Sequence, residues 1–115
     1  MKQNIIVDKS FRFALKIIEI YQYLVNNKKG FVLSKQLLRS GTSIGANVKE
    51  SINAISKADF RNKMSIALKE ADETEYWIEL LLRSNILCKN EIKFLLRDCK
   101  EICRILNSIV RNSSN

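Results

Sequence analysis

Five cations near the end of the chain, Lys93, Arg97, Lys100, Arg104 and Arg111, recur at steps of four, three, four and seven residues. At 100° per residue they fall within about 60° of one another on a helical wheel. Cations repeated along one ridge match the repeat of phosphates along a nucleic-acid backbone. An ordinary solvated face is the alternative, although such faces usually mix signs of charge. Few aromatics look exposed, so the expected contact is with the backbone and is weakly sequence-selective.

Other chemistry has less to work with. The chain has no histidine, and so lacks the commonest general base and metal ligand. Cys99 and Cys103 share a helical face, but two thiols without a histidine or a second cysteine pair make a poor zinc site. They read better as buried apolar thiols. Five acids crowd between Glu70 and Glu79 with no base among them: Glu70, Asp72, Glu73, Glu75 and Glu79. A carboxylate-bridged metal bundle would need Glu-x-x-His pairs, which are missing, and these acids spread around the helix instead of converging. Partnership with Arg39 and other cations, and plain solvation, account for them better. No glycine-rich phosphate cradle or nucleophile elbow occurs. We therefore expect no catalytic residue, no metal and no cofactor.

Composition agrees with a helical, polyanion-facing protein. Twenty Lys and Arg against twelve Asp and Glu give +8 on 115 residues. Such a surplus suits a nucleic acid or an acidic surface, or only keeps the protein soluble. Residues 1–30 carry six bases against two acids and residues 86–115 six against three, whereas residues 57–85 carry five against six. The surplus at the start adds Lys9, Arg12 and Lys16 to the candidate surface. An odd cysteine count (Cys88, Cys99, Cys103) points to reduced thiols and a cytoplasmic location. The Ile5-Ile6-Val7 run is too short for a signal peptide, and no segment approaches the ~20 apolar residues a membrane span needs.

Proline is absent and glycine appears three times, which favours long helices. The first is expected to start near Asp8 or Ser10 as a cap and to end at Asn26-Asn27-Lys28-Lys29-Gly30. It carries two apolar stripes, Phe11/Leu15/Ile18/Val25 and Phe13/Ile17/Ile20/Leu24, so it has two neighbours or also faces another subunit. The second helix starts near Ser34 and follows Leu37, Gly41, Ile44, Val48, Ile52 and Ile55. Gly41 and Gly45, one turn apart, suggest close approach of a neighbouring helix. The competing reading makes Ser40-Gly41-Thr42-Ser43 a loop, but the apolar spacing runs through it unbroken. Arg39, Ser43, Asn47 and Glu50 form a polar stripe, either solvated or, if the bundle associates, a hydrogen-bonded seam between subunits.

Ser56-Lys57-Ala58-Asp59 has the pattern of a capping box. The third helix then runs to about Ser84 with Phe60, Met64, Ala67, Ala71, Thr74, Ile78 and Leu81 in heptad-like spacing. Asn85 ends it and Asn90 caps the fourth. That helix turns Ile92, Leu95, Leu96, Cys99, Ile102, Cys103, Leu106, Ile109 and Val110 to the core, and residues 112–115 form a frayed tail. The expected fold is all-α, a single up-down-up-down four-helix bundle over residues 1–115.

Gln36-Leu37-Leu38-Arg39-Ser40, Ser43-Ile44-Gly45-Ala46-Asn47-Val48-Lys49-Glu50, Ile66-Ala67-Leu68-Lys69-Glu70-Ala71 and Glu73-Thr74-Glu75-Tyr76-Trp77 together resemble the four-helix-bundle family of ribosomal-RNA intervening-sequence proteins. That family is related to the accessory variability determinant of diversity-generating retroelements. The resemblance covers the central half of the chain. It implies a homopentameric barrel of bundles with a basic surface, associated with RNA or DNA or with a reverse transcriptase, and no enzymatic activity. Gly41 stands where the family often has alanine, which implies a locally looser second helix. Two functional expectations follow: a non-enzymatic, oligomeric, nucleic-acid-associated scaffold, or a protein-interaction module such as a reverse-transcriptase accessory subunit with incidental charge.

Overall fold

A computed structural model describes residues 2–27, 31–87 and 89–113. Lys28, Lys29, Gly30, Cys88, Ser114 and Asn115, which carry some of the expectations above, lie outside them. Four helices follow in order: α1 (Lys2–Asn26), α2 (Phe31–Ile52), α3 (Lys57–Arg83) and α4 (Lys89–Asn112). Each packs on its neighbours in sequence, and α4 closes the ring on α1, in a rod of about 45 × 19 × 19 Å. Among the described residues there is no strand. This is the expected up-down-up-down bundle.

α1 starts earlier than its candidate caps suggest. Ile6 is fully buried, and its place in the core carries the helix back past Asp8 and Ser10. Ser10 is itself buried, with its hydroxyl donating to the Val7 carbonyl at 3.3 Å. Asp8 instead accepts from Arg12 one turn on. Of the two apolar stripes only one is core: Phe13, Ile17 and Leu24 are buried, while Phe11, Leu15 and Ile18 are exposed.

α2 runs through Gly41 and Gly45 without a break. Two of its hydroxyls are satisfied inside the helix, Thr42 donating to the Leu38 carbonyl at 2.7 Å and Ser43 to that of Arg39 at 2.5 Å, so the Ser-Gly-Thr-Ser run does not need to open into a loop. The glycines let α1 approach. A Cβ on Gly41 would lie 2.8 Å from Cγ1 of Ile17, and one on Gly45 would lie 3.4 Å from the Ser10 carbonyl oxygen. The apolar spacing of α2 overshoots at its end. Ile52 and Ile55 are exposed, because the helix stops at Ile52 and the chain turns away, leaving Ser51 as the last buried residue.

Ser56 caps α3 with an extended backbone, its hydroxyl accepting from the Asp59 N–H at 3.0 Å. The Asp59 carboxylate reaches back to the Ile55 N–H at 3.2 Å, one residue before the usual partner in a capping box. Of the heptad-like positions, Met64, Ala67, Ala71, Thr74, Ile78 and Leu81 are buried and Phe60 is half-buried against the core. α3 ends at Arg83 with Ser84 as its C-cap, and Asn85 takes the left-handed conformation (φ 62°) expected of it. Leu87 then folds into the core, and α4 already includes Asn90, so Asn90 does not cap it. At the far end α4 holds Asn112, and Ser113 still donates to the Ile109 carbonyl at 3.0 Å, so the order extends into the expected tail.

Candidate nucleic-acid interface

α4 is the most strongly amphipathic helix. Ile92, Leu95, Cys99, Ile102, Leu106 and Ile109 are buried, which turns Lys93, Arg97, Lys100, Arg104 and Arg111 outward, all exposed. From Lys93 to Arg111 the ridge runs about 27 Å at 1.5 Å per residue. Among the described residues Lys93, Lys100 and Arg104 form no ion pair. Arg97 lies 3.8 Å from Asp98 and places its guanidinium 4.8 Å from the ring centroid of Phe94.

The cations of α1 are arranged differently. Lys9 pairs with Glu101 and Lys16 with Asp98, each at 2.8 Å, across the α1–α4 seam. Arg12 pairs with Asp8 at 3.2 Å. The structure brings all eight candidate cations to neighbouring helices, but the three on α1 face carboxylates and contribute less net field. These pairs are largely exposed and therefore weak, so a phosphate can compete for them.

The polar stripe of α2 meets α3. Arg39 forks to Glu70 at 3.2 Å and Glu73 at 2.6 Å, and Lys63 donates to Glu50 at 3.2 Å. Between them, Asn47 donates to the Ser43 carbonyl at 2.8 Å. Beneath, the buried hydroxyls of Ser40 and Thr74 are hydrogen-bonded at 2.9 Å. The hydrogen bond to Arg39 holds the Glu73 carboxyl below its ordinary range, against partial burial. Burial, and then Glu73, push Glu70 upward despite Arg39. The bond to Glu73 raises the Arg39 guanidinium further. Arg39 and Glu50 thus clasp α2 to α3 within one chain.

The remaining seam, α3–α4, holds the thiols. Cys99 Sγ is buried and donates to the Ala71 carbonyl at 3.4 Å; Cys103 Sγ lies 3.8 Å from Glu75 Oε1. Hydrogen bonding with Cys103 and then burial push the Cys99 thiol far upward, so it stays protonated. Both are free cysteines. Among the described residues, no group of three or more His, Cys, Asp or Glu is placed to share a metal ion, and no helix is long and apolar enough to cross a membrane. An open, mostly apolar groove of about 730 Å³ runs between α1 and α2, lined by Val7, Phe11, Ala14, Ile18, Thr42 and Gly45.

Several residues escaped the sequence reading. Glu73 shares Arg39 with Glu70, and its i, i+3 spacing from Glu70 was the available signal. Phe11, Tyr23, Tyr76 and Phe94 are more exposed than an aromatic-poor surface would have them. Phe94 sits off the core face because it lies 100° from Lys93, toward α1. Its step of three from Arg97 was a visible sign of their contact.

Fold and surface together define an all-α, up-down-up-down four-helix bundle with a cationic ridge on α4. The chain belongs to the 23S rRNA-intervening sequence protein family, whose model matches residues 2–108. A crystal structure of a protein of unknown function from the S23 ribosomal protein family, from Bacteroides thetaiotaomicron, is 52% identical, superposes with a TM-score of 0.93, and is matched over 96% of this chain and 99% of its own. No functionally curated protein matches the chain.

Proposed function

We propose that the protein is a non-enzymatic, self-associating bundle of the cytoplasm that holds a nucleic-acid backbone along the outer ridge of α4. The observation that carries this reading is the row Lys93, Lys100 and Arg104, exposed on one helix face with no carboxylate partner among the described residues. A phosphate meeting them does not first have to break an ion pair. Arg97 and Arg111 extend the row, and Lys9, Arg12 and Lys16 lie beside it. The family's name, which ties it to 23S rRNA, supports RNA as the polyanion.

The experiment is a salt titration of binding to labelled RNA and DNA. Five neutralised phosphates give a slope of log K against log salt of about −3.5 to −4.5. Reversing charge at Arg97→Glu, Lys100→Glu and Arg104→Glu is expected to abolish that salt-sensitive binding; unchanged binding rejects the ridge.

A second reading rests on the exposed stripe Phe11, Leu15 and Ile18 beside the α1–α2 groove. An apolar face of this kind favours protein contact, with another copy of the chain in a ring such as a pentamer, or with a polymerase partner. A protein partner retained after nuclease and high salt would favour this reading over the first.

A further inference from the structure

We propose that the nucleic acid on the α4 ridge is single-stranded and that Phe94 stacks one of its unpaired bases. This rests on the ridge reading above and narrows it to one substrate class. An exposed phenylalanine alone means little. The position of Phe94 is what matters: the residue is 54% exposed, Lys93 adjoins it in sequence, and the Arg97 guanidinium lies 4.8 Å from its ring centroid. The cation–π contact holds ring and guanidinium together. Arg97 can then meet a phosphate while the neighbouring ring offers its apolar surface to the attached base.

Other exposed aromatics lack that setting. Tyr76 shares its surface with Asp72, Glu75 and Glu79, which repel phosphate. Phe11 lies on the apolar groove of α1 and α2. A duplex keeps the faces of its bases inside the stack, so Phe94 would have nothing to bind there. A single strand exposes them, and stacking tolerates any base.

The test uses the full chain, a fluorescein-labelled 20-nucleotide single-stranded RNA of mixed sequence, and the blunt duplex of the same strand. Fluorescence anisotropy is expected to show the single strand bound at least about fivefold tighter. Phe94→Leu keeps bulk and charge but removes the π face. It is expected to weaken single-strand binding by about 5- to 160-fold, with the salt slope and duplex binding unchanged. Phe94→Tyr is expected to restore the affinity. Equal affinity for the two forms overturns the proposal. So does a Phe94→Leu variant that binds the single strand like the native protein, or that weakens both forms alike. Light scattering on each variant must match the native protein; a Phe94→Leu loss that follows a change of assembly also overturns it. If Phe94→Leu changes nothing while the ridge charge reversals still abolish binding, only the stacking assignment falls. If the charge reversals change nothing, the ridge itself falls.

Discussion

Gly41 against Ile17 is the tighter of the two described glycine contacts at the scale of single residues. Alanine in a helix is favoured over glycine by about 1 kcal/mol, yet a Cβ at Gly41 would sit 2.8 Å from Ile17 Cγ1 and 3.0 Å from its Cγ2. Ile17 is fully buried and branched at Cβ, so it cannot swing aside cheaply. Overpacking of this kind costs about 1–3 kcal/mol, and Gly41→Ala is expected to lower the melting temperature by a few degrees. At Gly45 the nearest atom is at an ordinary 3.4 Å, so Gly45→Ala is expected to be neutral or to raise stability by up to about 1 kcal/mol. Thermal denaturation of the two variants side by side checks both signs. The Arg39 fork gives a prediction in pH. Glu73, held low by Arg39, contributes stability above the ordinary Glu pKa and loses it as pH falls through its lower folded value. Glu70, pushed up by burial, has the opposite sign: folding opposes its charge, and that cost is relieved as pH falls. An NMR titration should find Glu73 losing its proton at lower pH than Glu70. Glu73→Gln should then destabilise more than Glu70→Gln at neutral pH, with the gap closing in acid.

Helices meet along four seams, each with its own chemistry: glycines between α1 and α2, a carboxylate fork and buried hydroxyls between α2 and α3, thiols between α3 and α4, and lysine–carboxylate pairs between α4 and α1. Helix boundaries were readable where a side chain caps the backbone. Ser56 and Asp59 mark the start of α3, and Asn85 marks its end. Ser56→Ala removes the acceptor for the Asp59 N–H and is expected to cost about 1 kcal/mol, measurable in urea unfolding at constant m. The start of α1 was not readable, because polar residues that can cap also occur inside helices. Burial of Ile6, which depends on the helices packed against α1, decided that α1 begins before Asp8 and Ser10. The exposed end of α2 misled in the same way: spacing alone carries Ile52 and Ile55 into the core, while the turn before Ser56 puts them in water.

Charge and apolar surface are segregated over the whole molecule. The ridge of α4 is cationic, the exposed stretch of α3 around Tyr76 is acidic, and the outer stripe of α1 is apolar. A monomer gains nothing evident from leaving Phe11, Leu15 and Ile18 in solvent together. Light scattering at micromolar concentration is expected to find an oligomer. The pair Phe11→Asp and Ile18→Asp, at positions that do not support the core, is expected to give a helical monomer. A monomeric native protein would remove self-association from the proposed function and leave the ridge untouched.

Periodicity in the chain determined the number of helices, the core faces of α3 and α4 and the composition of the cationic ridge. Those features depend on residue type and on the fixed 100° step of a helix, so no partner is needed to read them. Tertiary structure decided which of two equivalent-looking stripes on α1 is buried and which cations are already matched by acids. Each of these depends on what another helix presents across a seam, or on how far a helix is rotated against its neighbours. A single helix's sequence carries neither quantity.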